Sequence, residues 1–171
     1  WILALGIPEV GATTAHALGI LHRNFDELAS SRLLTAMRHF YDWEEKRPRK
    51  KDDPEGYARA TAEMARLAAE LEKAGLARPS AAAERGGEEW NLAFGPQLVR
   101  SVCTYFESET GRRVLARLKE LGIDPRGGEG GTREGGLAGR TFVLTGTLSS
   151  MTRAEATERI RRQVGLAYGK K

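Results

Sequence analysis

The sequence predicts a mainly α chain: a bundle of helices carrying two glycine-turned hairpins, with a short α/β unit at its end. Three observations lead there. Apolar residues recur at helical spacing through most of residues 1–123, a glycine opens a helix twice in similar surroundings, at Gly11 and Gly95, and one apolar β-branched run, "TFVLTG" at 141–146, follows a glycine-rich spacer.

The first hairpin lies in "LGIPEVGATTAHAL", residues 5–18. Gly6 can take a positive φ and Pro8 cannot continue a helix, so the segment ends one helix and turns. Gly11 then opens a second helix, with Ala15, Leu18, Ile20 and Leu21 at helical spacing, and "NFDELAS" offers Asn24 and Asp26 as caps for a short third. In "SRLLTAMRHFYDWEE" the residues Leu33, Leu34, Met37, Phe40, Tyr41 and Trp43 crowd one broad helical face. "KRPRKKDD", residues 46–53, breaks that pattern and reads as a solvated loop. Asp53 caps the next helix with Pro54 at its first position; Tyr57, Thr61, Met64, Leu67, Ala68 and Leu71 form its packing stripe, and Gly75 ends it. "ARPSAAAERGGEE", residues 77–89, has the composition of a linker or surface loop.

The second hairpin is "NLAFGPQLVRSVCTYF", residues 91–106. Aligning Gly95 with Gly11 sets Pro96 to Val102 beside Ala12 to Leu18 and matches Val99 to Ala15, a degenerate internal repeat. Cys103, the only cysteine, rules out an internal disulfide or a multi-cysteine zinc site in these residues, and reads as a small buried hydrophobe.

The chain has 171 residues, 40% hydrophobic and 29% charged, and no apolar run near the roughly 20 residues of a membrane span. It opens "WILALG" without an initiator Met, so the reading is a piece of a longer, cytoplasmic protein. A net charge of +4 permits an anionic partner without identifying one.

A glycine-led helix start has a specific use. The first amides of a helix have no intrahelical acceptor and the helix dipole makes that end electropositive, so a phosphate oxygen can dock there without a charged side chain. Glycine serves both the turn and the close approach. Val10, Gly11, Ala12 and Thr13, with Phe94, Gly95, Gln97 and Leu98, are the candidate phosphate-binding positions, and Arg100 and Arg23 are candidates for added charge. Two such units would grip both strands of duplex DNA while reading little sequence. Each glycine taken alone is an ordinary loop-to-helix junction.

"ALGIPEVGATTAHAL" resembles the first recognisable hairpin of the helix-hairpin-helix domain of bacterial NAD-dependent DNA ligases, and "FGPQLVRSVCTYFESETGRRVLARLKELGI" resembles that domain's last hairpin. The spacer "DPRGGEGGTREGG" and then "LAGRTFVLTGTLSSMTRAEATERI" resemble the passage into the BRCT domain that ends those enzymes. The resemblance implies a helix-hairpin-helix domain at 1–123, a linker at 124–136 and a truncated BRCT-like unit at 137–171. In that unit Thr152 and Glu155 form a capping box, and Thr145, Gly146 and Arg153 are phosphate-pocket candidates by resemblance; the alternative role of Thr145 is only to end its strand.

The departures from the pattern are informative. Glu9 stands where many family members have glycine, Ala93 stands in the second hairpin, residues 31–90 form an insertion of unassigned packing, and the chain ends after "RRQVGLAYGKK", short of the strands a BRCT core needs. The family's adenylating Lys-x-Asp-Gly is missing, "KKDD" being the nearest run. The resemblance therefore implies no catalytic residue, metal or cofactor in this segment, with NAD, magnesium and zinc implied for the parent enzyme. Its implied partners are duplex DNA, nicked above all, and the remaining ligase domains, in a bacterial cytoplasm at the nucleoid. Two other readings stay open: another repair or replication protein with hairpin and BRCT elements, and a protein-docking module using Phe40, Tyr41 and Trp43.

Overall fold

The computed structural model describes residues 1–80, 89–127, 150–152, 155–156 and 159–160. It is mainly α, as the sequence predicts. A 3-10 turn, Ile2–Leu5, leads to α1 (Ala12–Leu21), α2 (Phe25–Ala29), α3 (Arg32–Lys46) and α4 (Pro54–Lys73); β1 (Ala77–Pro79) and β2 (Trp90–Leu92) precede α5 (Pro96–Glu107) and α6 (Glu109–Glu120).

Local signals set most of these boundaries. Asn24 accepts from the Glu27 amide to cap α2, Ser31 from Leu34 to cap α3, Asp53 from Gly56 to cap α4, and Ser108 from Gly111 to cap α6. Of the two predicted α2 caps, Asn24 takes the role and Asp26 falls in the first turn. Gly75, at φ 68°, ends α4 with the Leu76 amide donating back to the Leu71 carbonyl at 2.8 Å, a Schellman closure.

The α4 stripe packs as predicted from Thr61 onward, with Thr61, Met64, Leu67, Ala68 and Leu71 all buried, whereas Tyr57 at its start is only half-buried. Residues 31–90, left without assigned packing by the sequence, prove central: α3 and α4 contribute Leu34, Met37, Phe40, Met64 and Leu71 to the same core as Leu18, Val99 and Val102. Phe40 is 1% exposed, so the aromatic face offered for docking lies inside the fold at its largest apolar ring. Tyr41 and Trp43 are half-buried against it, and Cys103 is half-buried instead of fully enclosed.

Helices α3 and α5 run antiparallel. Arg38 pairs with Glu107 at 2.6 Å, and at the other end Arg100 reaches Glu45 at 2.5 Å and Asp42 at 3.6 Å. The α5–α6 corner depends on Gly111, where a Cβ would stand 2.0 Å from the Tyr105 carbonyl oxygen.

The expected linker at 77–89 needs correcting at its edges. Ala77 pairs with Leu92, Arg78 with Asn91 and Pro79 with Trp90 in an antiparallel ladder, and the Ala93 amide donates to the Leu76 carbonyl at 2.8 Å. Three-residue strands carry too little alternation to show in sequence. The second glycine unit is consequently entered from a strand, the first from a 3-10 turn.

Candidate nucleic-acid interface

Among the described residues, four of the helices α1 to α6 are capped by a side chain. The two that are not, α1 and α5, are those opened by Gly11 and Gly95. Both glycines are exposed, at φ −83° and −73°. An added Cβ at either would meet nothing within 4 Å.

These angles revise one expectation. The backbone at Gly11 is extended and open to any residue, so the turn does not require this glycine. The positive φ lies two residues earlier, at Glu9, 66°. Neither glycine is thus demanded by conformation or by packing within the described residues; each leaves open space before the first helical amides.

The two units share their anchoring. Val10 and Phe94, immediately before the glycines, are buried, and so are Ala15 and Val99 at the fourth helical position. Those are the places of a hydrophobic staple, which fixes the angle at which chain enters helix. The matching of Ala15 with Val99 in the sequence repeat corresponds to this shared role. Of the predicted contact positions, Ala12, Thr13, Gly95 and Gln97 are exposed like Gly11, whereas Val10, Phe94 and Leu98 bury their side chains, and the Val10 amide already donates to the Ile7 carbonyl. Pro96, at the first position of α5, supplies no N–H, which leaves Gln97 and Leu98 as the first helical amides there.

Arg100 lies one turn into α5 and is exposed, but its guanidinium is held by Glu45 and Asp42. Arg23 is exposed beyond the end of α1, where its amide donates to Glu27 at 2.6 Å and its carbonyl accepts from Gly127 at 2.8 Å. Sequence reasoning missed Tyr41 as a member of this site. Its hydroxyl donates to the Phe94 carbonyl at 2.6 Å, tying α3 to the residue before Gly95. Burial, with Glu44 nearby, pushes that hydroxyl up to about 12, so it stays a donor at any physiological pH. Only the aromatic character of Tyr41 was visible in sequence; its partner is 53 residues away.

Behind the first unit, His22 is buried at the end of α1. Nδ1 lies 2.9 Å from the Leu18 carbonyl and Nε2 2.8 Å from the Ser31 hydroxyl. A carbonyl only accepts, so Nδ1 carries the proton and neutral Nε2 accepts from Ser31, whose oxygen in turn accepts from the Leu34 amide. Burial lowers the His22 pKa, opposed in part by the Leu18 carbonyl and Glu27.

At the far end of the chain the predicted capping box is present: the Thr152 amide donates to the Glu155 carboxylate at 2.7 Å and the Glu155 amide to the Thr152 hydroxyl at 3.2 Å. The Thr152 amide and the Thr152 hydroxyl, the latter at 2.8 Å, both donate to the Glu155 carboxylate and hold it below its usual range. Thr145, Gly146 and Arg153, the "TFVLTG" run and the tail after Arg162 lie outside the described residues. Among the described residues no group of three or more His, Cys, Asp or Glu is placed to hold a metal ion, and no helix is long and apolar enough to cross a membrane.

The chain is similar to DNA ligases over part of its length. It is 47% identical over 70 residues to the DNA ligase of Desulforudis audaxviator, covering 39% of this chain and 10% of that enzyme. The DNA ligase of Geobacter sulfurreducens is 37% identical over 90 residues, or 50% of this chain and 13% of the enzyme, and that of Natronomonas pharaonis 37% over 76 residues, 44% and 11%. The chain thus spans 10–13% of the length of these curated relatives. No family model and no solved structure matches it. The ligase resemblance in its motifs is therefore present in direct comparison as well: part of this chain is related to a part of DNA ligases.

Proposed function

We propose that this chain, sharing sequence with a short part of DNA ligases, acts as the segment of such an enzyme that grips the backbone of duplex DNA. The observation that carries the reading is that Gly11 and Gly95, both exposed, open α1 and α5, the two helices among the described residues that no side chain caps. A phosphate oxygen set before Gly11 or Gly95 meets backbone amides and the positive end of a helix dipole, with no Cβ in its way. Neither partner in that contact depends on base identity, so binding is nearly blind to sequence and weakens steeply with salt.

The chemistry of nick sealing lies elsewhere on this reading. The sequence has one cysteine and no Lys-x-Asp-Gly, so neither a four-thiolate zinc site nor a family-type adenylation site fits these residues. NAD, magnesium and zinc then belong to other domains of a larger enzyme working in replication and repair at the bacterial nucleoid. The role of this segment is to hold the duplex while those domains act on a nick. The buried Phe40 and the tethered Tyr41 speak against the docking module, since both are already engaged inside the fold.

The test is fluorescence anisotropy with nicked and intact duplexes of unrelated sequence, comparing the wild type with the Gly11→Val, Gly95→Val double variant. The extended angles and the open space predict a folded variant with an unchanged circular dichroism spectrum. Its duplex affinity should fall at least tenfold. A wild type that fails to bind at low salt, or a folded double variant that binds equally well, would refute the proposal.

A further inference from the structure

One strongly charged surface has no part in this reading, the loop between α3 and α4. Lys46, Arg47, Arg49, Lys50 and Lys51 place five positive side chains in six consecutive residues. Many other cations are paired with acids, as Arg38 is with Glu107, Arg113 with Glu109 and Lys119 with Asp26. Among the described residues, none of the five loop cations lies within ion-pair distance of a carboxylate. Asp52 and Asp53 close the run, and the Asp53 carboxylate is engaged on the Gly56 amide.

The loop is exposed from Arg49 to Asp53, as the sequence suggested, and it is also internally bonded. The Asp52 and Asp53 amides both donate to the Arg49 carbonyl, at 2.9 and 3.1 Å. The Tyr57 ring, in the first turns of α4, gathers the Arg47 guanidinium at 5.4 Å and the Lys50 ammonium at 5.9 Å. Cations held in this way lose less freedom when an anion arrives.

Its position is set by the antiparallel pairing of α3 with α5. Arg38 meets Glu107 at one end, while Tyr41 meets the Phe94 carbonyl and Glu45 meets Arg100 at the other. The loop therefore leaves α3 at the end of the bundle where Gly95 opens α5. Lys46 stands five residues past Tyr41, about 7 Å of helical rise.

We infer that this loop is a second contact for the backbone of duplex DNA, continuous with the Gly95 helix start, with Arg49, Lys50 and Lys51 pairing with phosphates next to the one met by the α5 amides. The inference rests on the proposed DNA grip. It gives residues 46–51 of the long insertion a function and adds the point charges that the amide contacts lack.

The experiment is a salt titration of duplex affinity for the full chain and two charge-matched variants. One is Arg49→Gln, Lys50→Gln, Lys51→Gln; the other neutralises Arg112, Arg113 and Arg117 on α6, also to Gln. Each phosphate contact adds roughly 0.9 to the slope of log affinity against log salt. The loop variant should lose about 2 to 3 from that slope while the α6 variant keeps it, with both as folded as the wild type by circular dichroism. A wild-type slope that survives loop neutralisation overturns this inference and leaves the grip standing. An equal loss in the α6 variant overturns it too, since net charge would then be responsible. A folded wild type that binds no duplex at ~50 mM salt overturns the grip itself, and this inference with it.

Discussion

Replacing Glu9 by glycine should stabilise the chain. The Val10 amide donates to the Ile7 carbonyl at 3.2 Å across Pro8 and Glu9, and Glu9 holds φ 66°. Proline second and a positive φ third is the arrangement of a type II turn, whose third position favours glycine. A side chain in the left-handed region costs about 1–2 kcal/mol. Glycine removes that cost and adds about 0.5–1 kcal/mol of chain entropy on folding, leaving a net gain of about 0.5–1 kcal/mol. Glu9 is exposed, so no packing is lost with its side chain. At this size the gain is a melting-temperature rise of about 1–4 °C. Urea unfolding should show a higher midpoint at unchanged slope, with Glu9→Ala, which keeps the Cβ, no better than wild type. A lower midpoint for Glu9→Gly, or an equal gain in Glu9→Ala, would refute the strain argument.

Tyr41→Phe removes the 2.6 Å bond to the Phe94 carbonyl and should cost about 1 kcal/mol in urea unfolding, with a parallel loss of duplex affinity; unchanged affinity would mean that the tether does not position Gly95. His22 is held below its ordinary value of 6.5 by burial, so the unfolded chain binds the extra proton first as pH falls. Its contribution to stability is complete above about pH 6.5 and declines below it, which should appear as a steeper fall from pH 6.5 to 5 in the wild type than in His22→Asn; parallel curves would contradict the neutral, Ser31-bonded imidazole. The Thr61 hydroxyl is buried without a hydrogen-bond partner among the described residues, so Thr61→Val, of the same shape and similar helix propensity, should raise stability by about 1 kcal/mol in thermal or urea melts.

Features written in neighbouring residues were legible in the sequence. Asn24, Asp53 with Pro54, Gly75 and the Thr152–Glu155 box each act within about five residues of their own position, and so do the two glycine helix starts. What joins distant segments was not. The β1–β2 ladder pairs two runs too short to show a period, on either side of a linker-like stretch. The antiparallel seam of α3 and α5 depends on which charge meets which, and nothing local to Arg38 or Arg100 selects Glu107 or Glu45. The site divides in the same way. Gly11 and Gly95 could be named from their surroundings, whereas the Tyr41 tether to Phe94 and the positive φ at Glu9 emerge only from the folded chain.

The central claim is that the first helical amides meet phosphate, and amide-resolved NMR of the 15N-labelled chain titrated with a nicked duplex tests it most directly. The account predicts the largest shifts at Gly11, Ala12, Thr13, Gln97 and Leu98, the same for duplexes of unrelated sequence and reversed by salt. Binding that leaves those amides unmoved while others shift would contradict it.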